Sequence, residues 1–179
     1  MTNLRTAATR RIIPAIAAIC TSLFIAPAVI AQTQPATPLN IQKETPMQHA
    51  KGTFDVKVIP VGTEDKAEGT TLGRMSIDKQ FQGDLTGTGK GEMLTGMAEV
   101  KGSGGYVAIE RVTGTLQGRT GSFILQHIGV MTRGEPQLSV TIVPDSGTGQ
   151  LVGITGKLTI TITDGKHFYE LAYTLPETP

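Results

Sequence analysis

Between Lys51 and Leu175 the chain runs in short β-branched stretches broken by glycine-rich turns. Leu158-Thr159-Ile160-Thr161-Ile162-Thr163 alternates strictly, as does Tyr169-Glu170-Leu171-Ala172-Tyr173-Thr174-Leu175. Period-two alternation sends successive side chains to opposite faces, the pattern of a half-buried antiparallel strand. The same reading predicts eight runs: Phe54 to Ile59, Leu72 to Phe81, Asp84 to Val100, Tyr106 to Leu116, Arg119 to Thr132, Gln137 to Val143, Leu151 to Thr163 and His167 to Leu175. No segment among them carries a helical period. Pro60, Pro136 and Pro144 fall at run ends, where strands accept proline.

The connections at Gln117-Gly118, Asp145-Ser146-Gly147-Thr148-Gly149 and Asp164-Gly165 are short and made of turn residues. Successive antiparallel strands joined this way leave two open edges unless the sheet closes on itself. The predicted fold is therefore all-β, an eight-stranded antiparallel up-and-down barrel over residues 50–176, with a short tail at 177–179. A barrel of this size has an interior that side chains fill or that holds one small ligand.

The first thirty residues differ in kind. Arg5, Arg10 and Arg11 precede an uncharged run from Ile12 to Ala31, with Pro27 just before the small residues Val29 and Ala31. This is signal-peptide anatomy, with cleavage expected after Ala31. The run approaches the roughly 20 residues of a membrane span, but no cluster of Lys or Arg follows it, so no stable span is expected after cleavage. Residues 32–49 hold Pro35, Pro38 and Pro46 among polar residues and read as a flexible tether. The expected location is the periplasm or the exterior.

Removing residues 1–31 leaves 13 basic and 15 acidic residues, formally −2, and takes away the single cysteine, Cys20. Such a domain has neither the basic stripe nor the aromatic platform of a nucleic-acid binder. It has no disulfide to form, so packing and backbone pairing must hold it.

Four segments carry a family resemblance: Gly73-Arg74-Met75-Ser76-Ile77-Asp78-Lys79-Gln80-Phe81, Tyr106 through Leu116, Gly118-Arg119-Thr120-Gly121-Ser122-Phe123 and Val143 through Gly149. Together they resemble the bacterial domain-of-unknown-function 3224 family over roughly Gly52 to Leu175. The resemblance implies an eight-stranded barrel like those of plant allene oxide cyclase and dirigent proteins, and a tendency to oligomerise. It implies no established activity. The plant cyclases steer ring closure of an oxylipin with a polar cluster that includes a cysteine, and no cysteine follows Cys20 here.

Within the hairpin about Gln117-Gly118, position i opposes 235 − i, so Ala108 faces His127 and Glu110 faces Leu125. Glu110 and His127 then share a face as diagonal neighbours. That face holds Tyr106, Ala108, Val112, Phe123, Leu125 and Met131, which are candidate ligand-lining residues. Glu110 and His127 are the candidate acid/base pair, or a structural pair satisfying two buried polar groups. The opposite face, with Val107, Ile109, Ile128 and Val130, is also apolar, which predicts a homo-oligomer through the barrel wall.

Other motifs fail on spacing. His49, His127 and His167 lie too far apart for a metal motif, so neither metal nor cofactor is expected. Gly87-Thr88-Gly89-Lys90-Gly91 lacks the frame of a phosphate loop, and Asp145-Ser146-Gly147-Thr148 is a turn sequence before it is a protease loop. The function expected is binding or shielding of a small apolar molecule in the lumen. The alternatives are an isomerase or cyclase using Glu110 and His127, and a barrel filled by its own side chains that serves as an interaction module.

Overall fold

Every second residue of the long apolar runs turns to one side, and a sheet with one such face can bury it by rolling up. A computed structural model describes residues 45–176 and has this architecture. The strands are β1 (Gln48–Pro60), β2 (Asp65–Ala67), β3 (Thr70–Gly83), β4 (Leu85–Ala98), β5 (Gly104–Leu116), β6 (Arg119–Thr132), β7 (Glu135–Ile142), β8 (Thr155–Thr163) and β9 (Lys166–Thr174). All pairings are antiparallel, in the order β1-β9-β8-β7-β6-β5-β4-β3-β2, and β1 also pairs with β3. That last pairing closes an eight-stranded barrel, with β2 as a short flap on the end of β3.

The expected signal peptide (1–31), most of the tether (32–49) and the tail (177–179) lie outside the described residues. The short β2 is not among the eight predicted runs, and two strand bounds differ from the sequence pattern by more than two residues. β1 begins at Gln48, because Gln48 to Gly52 pair with Tyr173 to Tyr169 of β9, a partner no local period reveals. Leu151 to Ile154, read as the start of a strand, instead form a 3-10 turn (Gly149–Leu151) and its exit.

Turn chemistry sets the register. The β5–β6 hairpin turns on Gln117 and Gly118 with φ of 46° and 85°, the left-handed pair of a type I′ turn. Its register places Ala108 opposite His127 and Glu110 opposite Leu125, as the two-residue turn requires. Arg133-Gly134 and Asp164-Gly165 make the same kind of turn at the other end of the barrel.

The two ends differ. At the end made by the β3–β4 and β5–β6 turns, Leu85, Leu116, Phe123, Leu171 and Tyr173 are packed with no more than 1% exposure. The link from β7 to β8 runs beneath them and buries Leu151 and Ile154. Its Ser146 Oγ accepts from the Ile124 amide at 3.0 Å, and Thr148 Oγ1 from the Ser122 amide at 3.0 Å. These side chains take up β6 amides that lie beyond its pairing with β7, since an unmatched buried amide would be costly. This is the turn role of Asp145-Ser146-Gly147-Thr148. Among the described residues the opposite end is left open: Val58, Met97, Met131, Leu138 and Ile162 all stand exposed there on lumen-facing positions of their strands.

Outside, Leu94, Val107 and Ile128 form one row across β4, β5 and β6, with Ile109 and Val130 beside it. All five are about half exposed.

Candidate functional site

The lumen-facing side of β3 reads Met75, Ile77, Lys79 and Phe81, so one lysine interrupts an apolar row. On β5 the corresponding row is Tyr106, Ala108, Glu110 and Val112, and on β6 it is Phe123, Leu125 and His127. Closure brings the three polar residues together. Lys79 Nζ donates to Glu110 Oε2 at 2.7 Å, and His127 Nε2 lies 3.0 Å from the same oxygen. His127 Nε2 makes no well-aligned hydrogen bond to this oxygen or to any other group among the described residues. Lys79, Glu110 and His127 are 5%, 0% and 3% exposed, so all three lie out of bulk water.

Room for the cluster comes from β4. Gly89 is register partner to Lys79 on one side and Val112 on the other, and Gly91 is partner to Glu110. A Cβ on Gly89 would overlap Glu110 Oε1, so the carboxylate occupies the place of the missing side chain. The alternating glycines that failed as a phosphate loop thus leave the lumen side of β4 bare from Gly87 to Gly91, and Lys79 crosses it there to reach Glu110.

Electrostatics follow from this geometry. Burial pushes the Glu110 carboxyl up, but the contact with His127 and the Lys79 charge outweigh it and hold the group below the usual carboxylate range. Glu110 Oε1 has no hydrogen-bond partner among the described residues. The Lys79 ammonium also sits 4.8 Å from the Phe54 ring centre and 5.7 Å from that of Phe81, both in cation–π range. Burial and the Glu110 charge together raise the Tyr106 phenol.

Two adjoining cavities open above the cluster, sharing Met93, Tyr106 and Leu138 as common wall. The outer one, about 360 Å³, reaches the mouth at Met97 and Met131. The inner one, about 170 Å³, also opens at the mouth beside Val58 and Ile162 and ends on Lys79, His127 and His167.

The sequence-derived candidates divide accordingly. Glu110 and His127 meet. Tyr106 borders both cavities and Met131, 44% exposed, stands at the mouth. Ala108, Val112, Phe123 and Leu125 are buried beside or below the cluster and border neither cavity, because the lumen is filled on that side. Sequence reasoning missed Lys79 and His167. The signal for Lys79 was present, a charged residue in register with Ile77 and Phe81 on the apolar side of its strand.

These features define a closed antiparallel β-barrel, packed at one end and open at the other, with a buried polar cluster between. The chain belongs to the DUF3224 family, whose model, described as "Protein of unknown function (DUF3224)", matches residues 50–173. A similar solved structure is a crystal structure of a DUF3224-family protein of unknown function from Shewanella oneidensis MR-1. It is 47% identical, with a TM-score of 0.71, over 74% of this chain and 100% of that one. No curated protein matches the chain.

Proposed function

We propose that this barrel binds a small, largely apolar molecule in the open half of its lumen. The observation that carries the reading is the pair of adjoining cavities, which together reach the size range of small-molecule sites and have apolar walls. An empty apolar mouth built of Val58, Met131, Leu138 and Ile162 contributes nothing to the packed core, so a filled-barrel module is the weaker reading. Titration with the uncharged dye Nile red tests it. A saturable blue shift, abolished by Leu138→Arg with the melting temperature unchanged, is the expected result. A shift that survives Leu138→Arg places the dye elsewhere and overturns the reading.

A second reading is favoured by one contact. His127 borders the inner cavity while Glu110 stands behind it, an orientation in which a carboxylate supports an imidazole acting as acid or base. This would suit an isomerase or cyclase, as the sequence resemblance to allene oxide cyclase barrels implies. Ligand extracted from the wild type and from His127→Gln would then differ chemically, and identical extracts would count against catalysis.

The outer wall supports self-association. Next to the Leu94, Val107 and Ile128 row, Arg74 and Glu92 pair at 2.7 Å on the same exposed face. An exposed apolar row bordered by a charge pair that is already satisfied within the chain is what a second copy related by a two-fold axis would cover. Export to the periplasm or beyond rests on the arginine-led apolar leader and the Pro-rich tether.

A further inference from the structure

The ionisable groups bordering the inner cavity are sorted by sign. Besides the Tyr106 phenol they are Lys79, His127 and His167, all bases. The one acid of the cluster, Glu110, is fully buried behind Lys79 and His127 and does not reach the cavity. Phe54 lies between two of the bases, with the Lys79 ammonium 4.8 Å from its ring centre and the His167 ring tilted against it at 5.0 Å.

Lys79 is also underused. An ammonium has three N–H donors, and among the described residues Lys79 spends one, on Glu110. Its other donors lie in a site only 5% exposed, with the Phe54 and Phe81 rings beside them and no acceptor oxygen in hydrogen-bond contact among the described residues. A group that fits must bring acceptor oxygens, prefer a positive surround and carry an apolar body long enough to pass Tyr106 and Met93 toward the mouth.

We infer that the occupant is an amphiphilic monocarboxylate, its headgroup received by Lys79 with His127 and His167 alongside and its apolar chain running out past Leu138 to Met131. This rests on the lumen-binding reading and specifies its ligand. A carboxylate makes charge-assisted hydrogen bonds to the ammonium that an alcohol of equal chain length cannot match. A cationic amphiphile of the same length meets the Lys79 ammonium and no acid in the cavity, and is excluded.

Isothermal titration of the unmodified full chain with dodecanoate, dodecanol and dodecyltrimethylammonium, at one ionic strength, tests the inference. Dodecanoate is expected to bind at least about tenfold more tightly than dodecanol, and the cation not to bind. Shortening the acid by two methylenes should weaken it by about tenfold, as apolar burial of the chain requires. Lys79→Met should bring dodecanoate down to the level of dodecanol and leave dodecanol unchanged. If that variant fails to fold because it strands the Glu110 charge, Lys79→Met with Glu110→Gln removes both charges and replaces it. Dodecanol binding as well as dodecanoate overturns the headgroup assignment and leaves the lumen reading standing. Failure of all three to bind or to displace Nile red overturns both.

Discussion

Lys79 and Glu110 stand on β3 and β5, two strands apart, and their charged groups meet at 2.7 Å because the strand between them presents Gly89 and Gly91 where other strands present lumen side chains. The polar floor of the cavity thus depends on an absence in β4 as much as on the charges themselves.

Gly89→Ala is expected to cost roughly 1–3 kcal/mol in chemical denaturation, since a Cβ there overlaps Glu110 Oε1 and a packed interior yields little. Gly118→Ala, where a Cβ meets no neighbour and only the positive φ resists, should fall nearer 1 kcal/mol. Equal losses at the two sites would mean that the carboxylate can move away freely.

Glu110→Gln keeps the shape and leaves the Lys79 ammonium buried without its counter-charge. Breaking such a pair on one side typically costs about 3–5 kcal/mol. The pH dependence has a definite sign. The native Glu110 carboxyl is held below its unfolded value, so its stabilisation is present above the ordinary carboxylate pKa of about 4.3 and is lost as pH falls through the native value. The stability gap between wild type and Glu110→Gln, followed by urea melts, should therefore be constant near neutrality and shrink below about pH 4. A gap that widens on acidification would contradict the depressed native value.

Tyr169 ties β9 to the β3–β4 turn. Its hydroxyl accepts from the buried Leu85 amide at 2.9 Å. Tyr169→Phe leaves that amide unmatched and should cost about 1–3 kcal/mol, with faster hydrogen exchange at Leu85 than at Leu116 on the facing strand. Unchanged exchange at Leu85 would show that another acceptor replaces the phenol.

Val107→Asp places a charge at the centre of the exposed row on β4, β5 and β6. If a second copy covers that row, sedimentation velocity should show an oligomer for the wild type and a monomer for the variant, with the melting curve of the monomeric barrel retained. A monomeric wild type at micromolar concentration would remove the assembly proposal.

Cell fractionation with N-terminal sequencing addresses export. A mature chain beginning at Gln32 in the periplasm or medium is expected, and an intact Met1 start in the cytoplasm would end that reading.

Strands, turns and one register were legible in the residues because they rest on local physics. Alternation over six or seven residues marks an extended strand with one buried face, and Gln117-Gly118 can close a hairpin in few ways, so Ala108 opposite His127 followed from counting. Glu110 and His127 were legible as partners for the same reason, since they share one hairpin. The Gln48–Gly52 part of β1 was not, because its pairing partner lies more than a hundred residues away in β9.

What the sequence by itself determined is an all-β chain with the spacing to close, and an acid and a base, Glu110 and His127, on an apolar face. What only the tertiary structure decided is where the lumen is empty. Closure sets β3 beside a glycine-lined β4 and so carries Lys79 across to Glu110, and the β7–β8 link tucks Leu151 and Ile154 under one end while none of the described residues covers the other. Those outcomes depend on side chains filling or leaving space between strands remote in sequence. Packing of that kind is a property of volumes in three dimensions, and no periodicity along the chain encodes it.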